Sequence, residues 1–245
     1  MRAFVTGAYG FVGGWLGRHL EACGDDLVTL AATTDIADAA AVEHELVEAA
    51  PQVVYHLAGL SHVGHSWDVP EETLQVNAVG TLHVLEAARA CSPPPRVLLV
   101  SSAEVYGSGD GSPLDEQAPL RPASPYAASK VAAEFLGLQA HLGRGLPVIR
   151  VRPFNHVGPG QAPFFVVAAL AQRIAAAEAA GATGVPVGDL TPARDFTDVR
   201  DVVRAYRLVA RLGVPGEVYN VCSGSAVTIA EVAKLLLASS PGEIH

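Results

Sequence analysis

Tyr126 and Lys130 are the two side chains whose types and spacing most directly indicate chemistry in this sequence. In a helix, residues four apart leave the same face, one turn from each other. Ser124 can cap such a helix and Pro125 suits its first turn, so we expect a helix to begin here. An ammonium group beside a phenol favours the phenolate and lowers its pKa toward working pH, as proton transfer requires. The spacing alone also fits two ordinary neighbours on an exposed helix, so the surrounding elements must decide.

A glycine-rich turn near the start of the chain supplies the first of those elements. Residues 3–6 predict a short buried strand, and residues 15–20 have apolar side chains at helical spacing. Between them Gly7, Gly10 and Gly13 form a G-x-x-G-x-x-G pattern. In this context the glycines allow a tight turn, a close approach of a pyrophosphate to the backbone, and close packing of helix on sheet. The turn predicts a dinucleotide-binding site.

The rest of the chain repeats the alternation of apolar strand and amphipathic helix. This alternation predicts a Rossmann-like α/β fold with a doubly wound parallel sheet. Ser102 directly follows the predicted strand 96–101, at the carboxyl end where open α/β sheets place ligands. We also expect one long helix over residues 71–90 and a short strand over residues 185–188.

Composition excludes several classes of function. The 245 residues are half hydrophobic, and 16 Lys plus Arg against 25 Asp plus Glu give a net charge of −9 without a basic run. We therefore expect neither nucleic acid nor an anionic membrane as a partner. The three cysteines form no CxxC pair, and His56, His62 and His65 have no nearby carboxylate or thiol to complete a metal site, so we expect no metal. Without a signal-peptide pattern or a long apolar run, the sequence predicts a cytoplasmic protein.

Three motifs together resemble an extended short-chain dehydrogenase/reductase, of the superfamily of nucleotide-sugar epimerases, dehydratases and reductases. They are the glycine turn, the Ser-Ser-x-Glu-Val-Tyr-Gly run at 101–107, and Tyr126-x-x-x-Lys130. Within that superfamily the chain most resembles the GDP-4-keto-6-deoxy-D-mannose reductases, through segments 152–161, 188–201 and 218–224. The resemblance runs from residue 1 to about residue 237.

The resemblance implies a role for each catalytic group. Tyr126 donates a proton to the C4 oxygen of a keto-sugar, Lys130 holds the nicotinamide ribose, and Ser102 hydrogen-bonds the same sugar oxygen. Glu104, two positions after Ser102, corresponds to a glutamate that removes the C5 proton in the dehydratases, but the reductases can carry it too. The implied reaction is NAD(P)H-dependent reduction to GDP-D-rhamnose. A 4,6-dehydratase or 4-epimerase and a non-catalytic dinucleotide sensor are the alternatives.

The resemblance also implies contacts with both ligands. The expected cofactor contacts are Gly7, Gly10, Phe11, Val12, Gly13, Asp35, Ile36, Leu57, Ala58, Asn77, Tyr126 and Lys130. The expected contacts with the GDP-sugar are Ser102, Glu104, Asn155 and Arg194. The choice between NAD and NADP stays open, because residues 31–34 after the second strand hold neither the acid nor the arginine that would decide it.

The resemblance finally implies an organisation for the whole chain. Residues 1–152, with returning segments near 189–221, would form the NAD(P)-binding domain. Residues 153–188 and 222–245 would form the substrate-binding part. Relatives continue several tens of residues further, so we expect that part to be truncated. Family members are homodimers, in which the helices at 71–90 and 125–144 pair across a two-fold axis, and we expect a homodimer here.

Overall fold

The computed structural model describes residues 1–109 and 111–240, and these divide into two compact units. The first consists of Met1–Phe154 together with Arg200–Val221. The second consists of Asn155–Val199 and the chain from Cys222 onward. Residues 189–199 thus belong to the second unit rather than to the returning segment. Residues 241–245 of the expected substrate-binding part lie outside the described residues.

Strands and helices alternate along most of the chain. The strands are β1 Arg2–Thr6, β2 Asp26–Thr29, β3 Val53–His56, β4 Arg96–Val100, β5 Val148–Pro153, β6 Asn155–Val157, β7 Ala193–Asp198, β8 Val218–Val221 and β9 Ala226–Thr228. The helices are α1 Phe11–Ala22, α2 Ala39–Ala49, α3 Pro70–Leu74, α4 Gly80–Ala90, α5 Pro125–Arg144, α6 Val166–Ala180, α7 Val199–Leu212 and α8 Ile229–Ala238. Over the described part of the chain, no helix has the length and apolar character needed to cross a membrane.

Six parallel strands form the sheet of the first unit, in the order β2-β1-β3-β4-β5-β8. The chain moves outward from β1 in one direction to β2 and then in the other through β3, β4, β5 and β8. The order therefore reverses beside β1, where doubly wound sheets bind ligands at the carboxyl ends of their strands. The predicted Rossmann-like fold is confirmed.

Apolar side chains alternate along each strand and build one core on each face of this sheet. Phe4, Val54 and Leu99 point to a core shared with α2, α4 and α5. Val5 and Leu98 point the other way, into a core shared with α1 and α7. Because both faces are covered, the strands carry nearly continuous apolar runs, as parallel sheets do. Because both faces of the sheet are apolar, polar side chains that could form a site are expected in the loops at its carboxyl edge.

The second unit contains a smaller sheet of three strands, in the order β6-β7-β9. Helices α6 and α8 share a small core formed by Leu170, Ile229 and Ala233. The strand expected over residues 185–188 is wrong, because this segment is irregular and largely exposed. Its apolar residues lack a neighbouring strand to supply hydrogen bonds, and the local pattern could not reveal this.

The helix expected over residues 71–90 forms, but it is not a regular α-helix throughout. A π-helical turn, Gln75–Val79, separates α3 from α4. By contrast, α5 forms as its sequence predicts. Ser124 caps it by accepting a 3.1 Å hydrogen bond from the Ala127 N–H, Pro125 occupies its first turn, and Gly145 ends it in the left-handed conformation.

Candidate active site

Ser102, Tyr126 and Lys130 come together at the carboxyl edge of the large sheet. Ser102 lies just past β4, and the other two residues occupy the first turns of α5. The Ser102 hydroxyl lies near the Tyr126 phenol. Lys130 Nζ donates a 3.1 Å hydrogen bond to the Val100 carbonyl at the end of β4, and it lies 6.0 Å from the centre of the Tyr126 ring. All three side chains are buried.

Burial is the main cause of the pKa shifts of Tyr126 and Lys130. It raises the pKa of Tyr126 to about 12, although the neighbouring Ser102 hydroxyl acts in the opposite direction. The expectation that Lys130 lowers this pKa toward working pH is therefore wrong for this structure. Burial also lowers the pKa of Lys130 to about 8, against an opposing effect of Glu134. Tyr126 is protonated at neutral pH and is suited to donate a proton to a reacting oxygen.

Glu104 lies beside this group on the short helical turn Ala103–Tyr106. Its N–H donates a 3.2 Å hydrogen bond to Ser102 Oγ, which helps to fix the hydroxyl. Its side chain is exposed, and its negative charge contributes to the raised pKa of Tyr126. The carboxylate is therefore near the phenol and accessible to a ligand.

Behind these residues lies a buried ion pair that the sequence did not predict. Glu134, one turn beyond Lys130 on α5, is fully buried and accepts hydrogen bonds from Arg152 Nε at 2.9 Å and Nη2 at 2.7 Å. It also accepts a 2.5 Å hydrogen bond from Ser101 Oγ. Arg152 in turn donates to the Tyr106 hydroxyl at 2.9 Å. The pair thereby connects the end of β4, the turn that carries Glu104, and the helix that carries Lys130.

Asn77 is a second organising residue, placed on the π-helical turn. Its side-chain amide donates to the Leu60 carbonyl at 3.0 Å and to Ser129 Oγ at 2.9 Å, and its Oδ1 accepts from the Leu60 N–H at 2.8 Å. Ser129 Oγ then donates to the Tyr126 carbonyl at 2.7 Å. Both amide hydrogens of Asn77 are thus used within the protein. The residue ties the loop after β3 to α5.

The glycine turn has the shape that a pyrophosphate requires. A Cβ on Gly13 would lie 2.1 Å from the Gly7 carbonyl oxygen, and one on Gly7 would lie 2.7 Å from the Ala58 nitrogen. Gly7 also has φ +72°, which disfavours other residues. Gly10 is the N-cap of α1 and has no side chain to cover the first turn, formed by Phe11, Val12 and Gly13. The residues present therefore fit the diphosphate of a dinucleotide at a helix N-terminus.

The residues expected near the adenosine differ in exposure. Asp35 is exposed, and its Oδ1 accepts a 2.9 Å hydrogen bond from the Ala37 N–H, while the Ile36 side chain is buried in the core. Leu57 and Ala58 follow β3 and are half-buried beside the glycine turn. The structure thus places Leu57 and Ala58 beside the glycine turn, whereas Ile36 packs in the core.

His56 is a buried structural histidine at the end of β3. Its Nδ1 lies 2.8 Å from Thr6 Oγ1 and its Nε2 lies 2.8 Å from Thr81 Oγ1, so both ring nitrogens are engaged. Burial lowers its pKa to about 3. Across the described residues, no group of three His, Cys, Asp or Glu side chains is arranged for a metal ion.

Asn155 and Arg194 both lie in the three-stranded sheet of the second unit. Asn155 on β6 pairs with Phe196 on β7, and Arg194 precedes Phe196 by two positions. Alternation along a strand places Asn155 and Arg194 on the same face of this sheet. The structure therefore brings together the two residues expected to bind the nucleotide.

Comparison with known proteins agrees with this geometry. The family model described as GDP-mannose 4,6 dehydratase matches residues 28–241. A GDP-6-deoxy-D-mannose reductase from Pseudomonas aeruginosa is 40% identical over 240 residues, covering 96% of this chain and 79% of the relative.

Solved structures of relatives superpose closely. The structure of RMD from Pseudomonas aeruginosa complexed with NADPH has a TM-score of 0.91 and 40% identity, covering 99% of this chain and 85% of its own. The UDP-glucose 4-epimerase of Thermus thermophilus, in complex with NAD, has a TM-score of 0.85 and 30% identity, covering 100% of this chain and 86% of its own. With the Ser102, Tyr126 and Lys130 group and the glycine turn in place, the chain belongs to the GDP-mannose 4,6-dehydratase-like family of extended short-chain dehydrogenases/reductases, NAD(P)-dependent enzymes of nucleotide-sugar metabolism.

Proposed function

We propose that the protein reduces the C4 keto group of GDP-4-keto-6-deoxy-D-mannose to give GDP-D-rhamnose. The single observation that carries this proposal is the grouping of the buried Ser102, Tyr126 and Lys130 side chains at the carboxyl edge of a dinucleotide-binding sheet. The similarity to a GDP-6-deoxy-D-mannose reductase at 40% identity supports the choice of sugar nucleotide.

Ser102, Tyr126 and Lys130 each have a different role in this reaction. When bound, the reduced nicotinamide cofactor supplies a hydride to the carbonyl carbon. Ser102 binds and orients the carbonyl oxygen, and the protonated Tyr126 donates its hydroxyl proton to that oxygen as negative charge develops there. Lys130 orients the cofactor ribose. Burial of all three residues limits competing water.

The diphosphate of the substrate needs positive charge and hydrogen-bond donors. Arg194 offers a planar guanidinium that can bind phosphate oxygens in pairs, and Asn155 offers an amide on the same sheet. We propose that both residues bind this diphosphate.

The proposal is tested by incubating the protein with GDP-4-keto-6-deoxymannose and NADH or NADPH, following cofactor absorbance and the sugar product. Tyr126→Phe should reduce turnover at least about a hundredfold, because it removes the proton donor and leaves the ring. Cofactor binding should be retained. Ser108→Ala, in the exposed segment after the Glu104 turn, is a control with a similarly small change. Unchanged turnover in the Tyr126 variant would exclude the mechanism.

One observation favours a second candidate, a 4,6-dehydratase or 4-epimerase. The exposed Glu104 carboxylate lies near enough to the Tyr126 phenol to affect its pKa, where it could also take a proton from the sugar. Such enzymes return the hydride to the product, so the cofactor shows no net oxidation. Stoichiometric NAD(P)H consumption supports the reductase, whereas conversion of a sugar nucleotide without consumption supports the alternative.

We further propose that the enzyme is a homodimer, assembled through α5. Phe135 and Leu142, two turns apart on its outer face, are 55% and 74% exposed. Leu74 on the neighbouring α3 is 49% exposed. A second copy placed across a two-fold axis would cover these apolar side chains. A solution mass equal to one chain would contradict this arrangement.

The proposal includes a cytoplasmic location. None of the three cysteines, which all lie in the described part of the chain, forms a disulfide, as in a reducing compartment, and this compartment also supplies reduced nicotinamide cofactors. Cell fractionation with an antibody against the chain tests this expectation.

A further inference from the structure

The end of β2 is the place where a dinucleotide-binding sheet distinguishes its two cofactors. An acidic side chain there binds the ribose 2′-hydroxyl of NAD, whereas an arginine accommodates the 2′-phosphate of NADP. The Tyr9 hydroxyl in the glycine turn lies 3.4 Å from Thr29 Oγ1, so the end of β2 is adjacent to the diphosphate site. Residues 31–34, which follow β2, contain only alanine and threonine.

Glu45 brings a carboxylate to this position from α2. Its Oε2 accepts a 2.8 Å hydrogen bond from the Ala31 N–H, and its Oε1 accepts a short hydrogen bond from the Thr34 hydroxyl. A carboxylate can accept about four hydrogen bonds, so two protein donors leave acceptor capacity for a ribose hydroxyl. Residues 31–34 contain no acidic side chain, but the fold brings the Glu45 carboxylate to the end of β2.

The sequence around this carboxylate offers it no lysine or arginine. None occurs between Arg18 and Arg89, a stretch that includes β2, α2 and β3. Arg18 itself lies 4.3 Å from the centre of the Trp15 ring, over its face. Two further acids lie nearby in the sequence. Asp35 accepts a hydrogen bond from the backbone N–H two residues further on, and Asp38 caps the N-terminus of α2 in the same way. A 2′-phosphate, with about −1.5 to −2 charges at neutral pH, would face repulsion here.

We propose that Glu45 makes this enzyme selective for NAD(H) over NADP(H), by accepting a hydrogen bond from the ribose 2′-hydroxyl and repelling a 2′-phosphate. The protein thus differs from the similar Pseudomonas aeruginosa structure, which was solved with NADPH. It agrees in cofactor with the Thermus thermophilus epimerase, which was solved with NAD.

Cofactor binding without any sugar substrate tests the proposal. Titration of the full chain with NADH and with NADPH, followed by nicotinamide fluorescence, should give a Kd at least about tenfold lower for NADH. Glu45→Gln should reduce this preference about tenfold, chiefly by strengthening NADPH binding. Glu48→Gln removes the same charge from an exposed position three residues further on α2, and it should leave the preference unchanged.

Two outcomes would overturn the proposal. One is a wild-type protein that binds NADPH as tightly as NADH, a result that requires no variant to fold. The other is a folded Glu45→Gln protein with the wild-type preference. Because no sugar is present, failure of the proposed substrate would leave these measurements unaffected.

Discussion

Replacing Glu134 by glutamine removes one charge from the buried pair with Arg152 and leaves the side-chain volume nearly unchanged. The wild-type carboxylate accepts hydrogen bonds from Arg152 and Ser101 and is fully buried. A glutamine amide can keep one acceptor oxygen, but its NH₂ group would face the guanidinium donors. Arg152 would then remain buried without a counter-charge.

The expected loss of stability follows from that unpaired charge. Removing one partner of a buried ion pair costs about 3–5 kcal/mol. For a chain of this size, such a loss lowers the melting temperature by about 10 °C. This is less than the total stability of most domains, so the variant should still fold.

Lys130 should respond to the same change. The ionisable groups that act on it or face it are Glu134 on its own helix, His56 on β3 and the Tyr126 phenol. Glu134 raises the pKa of Lys130, so its replacement should lower that pKa below about 8. Turnover that needs protonated Lys130 falls as pH rises through this pKa. The basic limb of the pH–rate profile should therefore move to lower pH.

The assay compares turnover, cofactor Kd and thermal unfolding between about pH 6 and pH 9. Asp25→Asn is a matched control, because Asp25 is also buried and pairs with Arg207 at 2.6 Å, away from the catalytic group. It should lower stability while the basic limb stays in place. A folded Glu134→Gln protein with an unmoved basic limb would refute the reasoning, as would an equal movement in Asp25→Asn.

Three further predictions concern other parts of the fold. Gly13→Ala should abolish cofactor binding, measured by fluorescence titration, because the new Cβ would lie 2.1 Å from the Gly7 carbonyl oxygen. Gly14→Ala is the control and should bind the cofactor normally, because its Cβ would lie 3.9 Å from the Arg18 side chain. In the folded protein His56 has a pKa of about 3, against 6.5 for an exposed histidine. Between these two pH values the unfolded chain therefore binds more protons than the folded one. Stability should therefore fall by about 1.4 kcal/mol per unit as pH drops below 6.5, measured by urea unfolding, and His56→Gln should show a shallower slope. Phe135→Asp should convert the proposed dimer to monomers in sedimentation, and an unchanged mass would place the interface elsewhere.

The sequence was informative wherever local chemistry determines structure. The glycine turn, the capped start of α5 and the position of Ser102 after a strand were all predicted from neighbouring residues, and the Rossmann-like fold followed from the alternation of elements. These features depend on backbone geometry within a few residues.

Features that depend on burial and distant pairing were not predicted. The pKa of Tyr126 was expected to fall because sequence spacing shows the neighbouring charge but not the loss of solvent. The Glu134–Arg152 pair joins residues 18 positions apart on different elements. A signal was present, because Glu134 lies one turn beyond Lys130 on the same helix face, where a solvated charge would not be expected. Similarly, Glu45 reaches the end of β2 only through tertiary packing.

The π-helical turn at Gln75–Val79 restricts how this region can change in length. Such a turn contains one residue more than a regular helical turn, and this insertion is what aligns Asn77 with both the Leu60 loop and Ser129. Deleting a single residue would restore an α-helix and rotate the preceding part by about 100° relative to α4. Asn77 could then no longer reach both partners. Insertions and deletions here should therefore be tolerated much less than in the exposed loops of the same unit.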